Sequence, residues 1–346
     1  MFVKLTGNDW VKRLLKQMLE SGRVPGAMLF SGEEGIGKKL FALELARALN
    51  CRSPQGVEAC GQCPTCKRIS TFHYPESEDP EEWKKIVWTD HTDVGMVVAP
   101  KRVLLVDQMR QIEREANFRP FEGKARVFLI NEADRLNEPA ANALLKVLEE
   151  PPPTSHLVLI TARPAMLLPT IRSRCQAIRF SSLSNEELEQ HLLDNKLAPA
   201  AEARLRARIA AGSLSRALAV DWDDYKEQRQ ATLEILNALA LTNDRARLLR
   251  LSEEMNDARY KADYETRLDI LEGLIRDALM LSVGIGEERL TNVDLVHQLR
   301  KVSERIDARR ATGWISLIEE LREQLAVNIN RKPATDALLL RMAAPC

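Results

Sequence analysis

The sequence lacks a net charge, a long apolar run and a signal-like N-terminus. Its 346 residues include 50 Lys plus Arg and 50 Asp plus Glu, so no overall field favours nucleic acid, an acidic substrate or an anionic membrane surface. No stretch reaches the roughly eighteen apolar residues of a membrane-spanning helix. Residues 1–17, MFVKLTGNDWVKRLLKQ, scatter charges among apolar positions, unlike a secretory signal. These absences predict a cytoplasmic protein without a membrane partner, whose DNA contacts are local or shared with partners.

Cysteine is scarce as well, but four of the six lie close together. Cys51, Cys60, Cys63 and Cys66 have the spacing C-x8-C-x2-C-x2-C. Tetrahedral zinc takes four thiolates at about 2.3 Å, and a CxxC turn presents two of them from one knuckle. We predict a structural Zn²⁺ site formed by all four. A redox CxxC pair and ordinary buried thiols are the alternatives, although neither needs four cysteines.

Apolar patterning divides the chain into an α/β part and a helical part. Strands of a mainly parallel sheet are predicted at 27–30, 103–106, 127–130 and 157–160, with helices between them. The acidic stretch 75–100 is predicted to be a surface excursion. After Phe180 the strand signals fade, and Ser184 with Glu187 forms a capping box that opens a helical remainder. Domain boundaries are predicted near residues 180 and 221.

A phosphate-binding loop follows the first strand. Residues 32–38, GEEGIGK, match the GxxxxGK pattern between a strand and an apolar-periodic helix. Gly32, Gly35 and Gly37 would let the backbone amides converge on phosphate oxygens, and Lys38 would reach the terminal phosphates.

The residues that should hold magnesium are missing from this loop. Lys39 occupies the position of the Ser or Thr whose hydroxyl ligates Mg²⁺. The strand 127–130 ends in Asn131-Glu132 instead of an acidic pair, although Glu132 could still act as a base and Asp134 could compensate for Asn131. Two departures at one ion weigh against ATP hydrolysis and against Mg²⁺ at this site. Binding of ATP without turnover stays open.

Two further segments resemble one family of replication proteins. The segment NALLKVLEEPP at 142–152 and the element Ser173-Arg174-Cys175 resemble DNA polymerase clamp-loader subunits of the AAA+ class. With the cysteine cluster placed directly after the phosphate-loop helix, the resemblance is close to the delta-prime family of bacterial DNA polymerase III. It covers nearly the whole chain, most specifically 27–180, and includes the closing segment 328–331.

The resemblance implies an architecture and a set of partners. The expected domains are a RecA-like AAA+ domain at 1–180 with a zinc module near 51–66, a small helical lid at 181–221, and a helical collar for oligomerisation at 222–346. The expected partners are the gamma/tau and delta subunits in a hetero-pentamer, the sliding clamp, and primed DNA reached through the complex.

The resemblance also assigns roles to single residues. Arg174 would be an arginine finger that acts in trans on a neighbour's nucleotide; the alternative is a surface salt-bridge arginine. Glu132 would be a vestigial Walker B residue, and Thr161, at the end of its strand, would join Lys38 and Lys39 at the nucleotide. The lid arginine, Arg216, stands one position beyond its expected place after Gly212-Ser213-Leu214.

Three functions compete on this sequence. The first is an assembly subunit of the clamp loader that donates Arg174 and does not hydrolyse ATP itself, although it belongs to a DNA-directed DNA polymerase holoenzyme. The second is an active ATPase motor subunit, supported by Gly32, Gly37, Lys38 and Glu132. The third is a zinc-ribbon nucleic-acid binder, for which the cluster carries only three basic residues, Arg52, Lys67 and Arg68.

Overall fold

The computed structural model describes residues 2–75, 79, 81–99, 103–242, 244–256, 264–326 and 330–344. It divides into two compact units, Met1–Leu218 and Ala219–Cys346. The first unit is α/β and the second is helical, so the predicted fold class is confirmed. The finer boundaries near 180 and 221 stay predictions.

The first unit is built on a six-stranded sheet with the order β2-β3-β4-β5-β1-β6. Among the described strands, β2 and β3 pair antiparallel and the other neighbours pair in parallel. The strands are β1 (Ala27–Ser31), β2 (Val87–Trp88), β3 (Val94–Val97), β4 (Arg126–Ile130), β5 (Ser155–Thr161) and β6 (Gln176–Arg179).

Within the described residues, nine helices accompany this sheet, and the last of them extends one residue past the unit boundary. They are α1 (Asp9–Glu20), α2 (Lys38–Asn50), α3 (Pro64–Arg68), α4 (Val106–Ala116), α5 (Glu138–Glu149), α6 (Pro169–Arg172), α7 (Asn185–Asp194), α8 (Ala200–Ile209) and α9 (Leu214–Ala219). Glu150 caps the end of α5, and Pro151 and Pro152 follow it and cannot continue the helix.

Both faces of the sheet are covered, which is why its central strands are apolar at every position. Along β1, Met28 and Phe30 pack into a core cluster on one face. Leu29, between them, packs into the cluster on the other face together with Phe128 and Leu159. This double burial fixes the strand ends, and the phosphate loop leaves the sheet from one of them.

Two predictions about the first unit are wrong. Residues 103–105 are not a strand: α4 begins at Val106, where the Leu105 amide donates to Gln108 Oε1 at 2.9 Å and caps the helix. The stretch 75–100 is not only a surface excursion, because it supplies β2 and β3. Residues 76–78, 80 and 100 of that stretch lie outside the described residues.

The helices after the sheet form their own small core within the first unit. Leu188 and Leu192 of α7 pack with Ala203 and Ala207 of α8. The capping box is confirmed: Ser184 Oγ accepts from the Glu187 amide at 3.1 Å, and the Ser184 amide donates to the Glu187 carboxylate at 2.8 Å.

The second unit is helical throughout its described residues. Its helices are α10 (Trp222–Asn237), α11 (Arg245–Met255), α12 (Tyr264–Ser282), α13 (Val296–Ser303), α14 (Ala308–Ala326) and α15 (Arg331–Met342), with a π-helical turn, Ala238–Thr242, after α10. Residues 328 and 329 of the predicted closing segment lie outside the described residues. Among the described helices, none is long and apolar enough to cross a bilayer.

Candidate phosphate site, cysteine cluster and arginine edge

The phosphate loop opens into a cavity of about 850 Å³ at the carboxyl ends of β1, β4 and β5. Gly37 precedes α2 in the left-handed region, with a φ of 94°. Gly35 has a φ of 76°, and a Cβ atom on it would lie 2.1 Å from Ser213 Oγ, so no larger residue fits there. The Ser215 amide donates to the Gly35 carbonyl at 3.0 Å. The loop is therefore shaped by its glycines and by the turn before α9.

Lys38 is the buried cation of this cavity. Its ammonium donates to the Gly32 carbonyl at 2.6 Å and also to the Glu33 carbonyl, and only 6% of the residue is exposed. Burial lowers the pKa of Lys38, while the nearby carboxylates of Glu34 and Glu33 act in the opposite direction. The loop thus holds Lys38 in a position to meet an anion that enters the cavity.

Lys39 reaches toward an aromatic pair and offers no oxygen ligand. Its ammonium donates to the Tyr74 hydroxyl at 2.9 Å and lies 5.4 Å from the centre of the Phe72 ring and 5.7 Å from that of Tyr74. These distances lie within the range of cation–π attraction. The position of the expected magnesium ligand is thereby occupied by a held positive charge.

The second magnesium position is changed as well. Asn131, Glu132 and Asp134 all line the cavity, but Asp134 accepts from Thr161 Oγ1 at 2.7 Å and is paired with Arg163 at 2.7 Å. The Asp134 carboxylate is therefore engaged on both oxygens by Thr161 and Arg163. Glu132 has a φ of 53° and lies 3.2 Å from the Arg135 guanidinium.

Residues of helix α9 also line the cavity. Arg216, Leu214 and Leu218 of α9 line it together with Lys38. The one-residue displacement of Arg216 therefore does not remove it from the cavity. Gly35, Gly37, Lys39 and Thr161 also line it, whereas Gly32 contributes through its carbonyl contact with Lys38.

The four predicted cysteines converge at the other end of α2. Cys51 follows the last residue of α2, and Cys66 lies on α3. The sulfur–sulfur distances are 3.6 Å for Cys51–Cys60 and Cys51–Cys66, and 3.9 Å for Cys51–Cys63 and Cys60–Cys66. All four sulfurs lie within 4.8 Å of one another. A tetrahedron of sulfurs about 2.3 Å from a metal has edges of about 3.8 Å, so the cluster fits one metal ion.

Backbone amides support this cluster. The amides of Gln62 and Cys63 donate to Cys60 Sγ at 3.5 and 3.2 Å, and these hydrogen bonds lower the pKa of Cys60. Burial raises the pKa of Cys66 instead. A bound cation would favour the thiolate at all four positions, because metal ligation deprotonates thiols outright.

Arg174 lies outside the cavity, beyond the end of α6. It is not among the residues that line the cavity of its own chain. Its Nε donates to Glu149 Oε1 at 2.7 Å, its Nη2 donates to the same oxygen, and its Nη1 donates to the Thr170 carbonyl at 3.0 Å. About 31% of its side chain is exposed. The arginine is held, and part of it still faces solvent.

Sequence reasoning missed the side chains that satisfy the predicted ones. Tyr74, Arg163 and Glu149 had no assigned role. They contact Lys39, Asp134 and Arg174 respectively. Glu149 lies within the family-like segment, so its position in that motif was the one available signal. Arg163 follows Thr161 by two residues, but their spacing alone does not point to Asp134.

The glycine loop, the buried lysine and the strand-end polar residues define a P-loop α/β domain with a four-cysteine module attached. Family models for DNA polymerase III, delta subunit, and for its C-terminal part match residues 7–184 and 224–343. The chain is 28% identical to DNA polymerase III subunit delta-prime of Bacillus subtilis, over 96% of this chain and 95% of that protein.

Two Escherichia coli proteins are also similar. DNA polymerase III subunit delta-prime is 30% identical over 93% of this chain and 90% of its own length. DNA polymerase III subunit tau is 31% identical over 74% of this chain but only 38% of its own length. The chain belongs to the DNA polymerase III delta-prime family.

Proposed function

We propose that this chain is an assembly subunit of the bacterial clamp loader that binds Zn²⁺ structurally, does not hydrolyse ATP itself, and donates Arg174 to the nucleotide of a neighbour. Its partners in this proposal are gamma/tau and delta subunits in a hetero-pentamer, the sliding clamp, and primed DNA through the complex. The observation that carries it is the contrast between a cavity in which Lys39 and Asn131 replace the usual magnesium ligands and an arginine held outside that cavity.

The state of the cavity supports the loss of hydrolysis. Phosphoryl transfer depends on a metal that neutralises the developing charge. Lys39 contacts Tyr74 and supplies no oxygen ligand, and the pairing of Asp134 with Arg163 competes with its binding to Mg²⁺. Lys38 and Arg216, which also line the cavity, suit phosphate binding without turnover.

The position of Arg174 supports action in trans. A guanidinium that does not line its own cavity can act on phosphate only across an interface, where it would stabilise the charge of the transferring phosphoryl group.

The nucleic-acid alternative is weakened because Arg68, one of the three basic residues of the cysteine module, is engaged by Glu122 at 2.6 Å and by the Asp90 carbonyl at 3.0 Å.

The decisive experiment is ATP turnover by the loader reconstituted with gamma/tau and delta subunits. Arg174→Ala is expected to leave assembly intact and to slow turnover about tenfold or more at the affected interface, since such arginines contribute large factors to the rate. Arg172→Ala, two residues earlier on α6, is the matched control. Unchanged turnover in the Arg174→Ala assembly would remove this residue from the mechanism.

An active ATPase motor subunit is the second candidate, favoured by the buried Lys38 in an intact glycine loop and by Glu132 at the cavity wall. Turnover by the purified chain separates the two functions. Magnesium-dependent hydrolysis that Lys38→Ala abolishes would establish the motor and overturn the assembly role.

A further inference from the structure

The contact between Arg174 and Glu149 is not explained by its contribution to stability. Glu149 is the last residue of α5, where a carboxylate opposes the negative end of the helix dipole. Both side chains are partly exposed, at 31% and 48%, and exposed ion pairs of this kind contribute little to folding. Neither local helix stability nor folding therefore accounts for this residue.

Glu149 and the Thr170 carbonyl together fix the orientation of the guanidinium. Arg174 uses one N–H on each of its three nitrogens for these contacts, and two of them end on the single oxygen Oε1 of Glu149. A guanidinium carries five N–H groups. Within the part of the chain that the structure describes, one N–H on each terminal nitrogen therefore stays available, which suffices for a bidentate contact with a phosphate.

We infer that Glu149 is a positioning residue for Arg174. Its carboxylate binds Nε and Nη2 of the guanidinium and so fixes the orientation of Arg174 before the nucleotide of a neighbouring subunit arrives. This inference rests on the proposed role of Arg174 in trans. A side chain that is already oriented loses less conformational freedom when the interface closes, and small misplacements of a reacting or stabilising group cost large factors in rate. Pro151 and Pro152 end α5 directly after Glu149 and Glu150, which fixes the place of the carboxylate.

The test uses the reconstituted loader with the unmodified chain and five variants of it, one of which is Arg174→Ala alone. Glu149→Ala is expected to lower kcat for ATP about tenfold at the affected interface, without changing KM, because Glu149 contacts the arginine and no nucleotide of its own chain. Glu149→Gln keeps an oxygen that can accept both N–H groups and is expected to restore most of the rate. Glu150→Ala, the adjacent exposed carboxylate, is the matched control. Glu149→Ala combined with Arg174→Ala is expected to be no slower than Arg174→Ala alone.

The outcomes separate the inference from the proposal beneath it. If Arg174→Ala slows turnover while Glu149→Ala does not, the positioning role is wrong and the arginine finger stands. A faster Glu149→Ala assembly would show that the carboxylate restrains the arginine, which also overturns positioning. If Arg174→Ala has no effect, both ideas fail together.

Discussion

The two ends of helix α2 carry two candidate cation sites that differ in what their side chains already contact. At its N-terminus, Lys39 is held by Tyr74, and across the cavity Asp134 is held by Arg163. At its C-terminus, Cys51 and its three partners bring four sulfurs within 4.8 Å of one another. At the first end, protein groups contact Lys39 and Asp134, whereas at the second end four sulfur donors converge.

The difference teaches that one fold can keep a binding loop after the side chains that usually bind magnesium have changed. The glycine loop and Lys38 depend on backbone shape and on burial, and both are kept although Lys39 and Asn131 stand at those positions. The metal ligands depend on single side chains, and single substitutions remove them. A metal at the cysteine end would therefore serve folding, while the phosphate end supplies shape and charge.

The largest predicted effect is a loss of stability when two of the four cysteines are replaced. Cys63→Ser combined with Cys66→Ser removes two of four ligands, and the first unit is expected to lose at least about 3 kcal/mol of its free energy of unfolding, since metal binding contributes to folding directly. Urea unfolding measures this loss, and elemental analysis should show zinc falling from one ion per chain to none.

Cys175→Ala is the control for that variant. Cys175 is buried apart from the cluster, among the apolar residues of the sheet core, so its replacement should leave the zinc content unchanged. Native protein with less than one zinc per chain would contradict the structural site itself and remove the contrast between the two ends of α2.

A second prediction concerns a variant in which the usual magnesium ligands are restored at the phosphate loop. Lys39→Thr combined with Asn131→Asp supplies a hydroxyl and a carboxylate where magnesium is ligated in working P-loops. Nucleotide binding by the purified variant is expected to tighten about tenfold on addition of Mg²⁺, equivalent to about 1.4 kcal/mol. Isothermal titration calorimetry with and without EDTA measures the change, and the unmodified chain should gain nothing from Mg²⁺.

Lys39→Ala distinguishes the effect of removing the Lys39 ammonium from the effect of adding a magnesium ligand. It removes the ammonium without supplying a ligand, so magnesium should not strengthen its binding. If the unmodified chain already binds nucleotide more tightly with Mg²⁺, then Lys39 and Asn131 do not exclude the ion, and the two ends of α2 are alike in this respect.

Short-range patterns predicted the motifs well, and tertiary contacts decided the rest. The cysteine cluster and the glycine loop are confined to short stretches, so their spacing was informative. The partner of Lys39 lies 35 residues away and that of Asp134 lies 29 residues away, and sequence alone sets neither pairing. Strand β3 was missed because it is four residues long and contains Gly95, which leaves little periodic signal.

The smallest predicted effect concerns the attachment of the cysteine end to the sheet. Arg68, the last residue of α3, donates to Glu122 at 2.6 and 2.8 Å, and mainly this contact, with the Thr92 amide, lowers the pKa of Glu122 from 4.5 to about 2. Because the folded pKa is depressed, the stabilisation is present above the unfolded value and is lost as pH falls from about 4.5 toward 2.

Glu122→Gln should remove this part of the acid sensitivity. Since the pair is partly exposed, the expected difference in unfolding free energy between pH 7 and pH 3 shrinks by only about 0.5–1 kcal/mol. Urea unfolding at the two pH values measures it, with Glu20→Gln at the exposed end of α1 as the control for loss of one carboxylate. Equal pH dependence in Glu122→Gln and the unmodified chain would mean that the Arg68 contact does not hold the cysteine end in place.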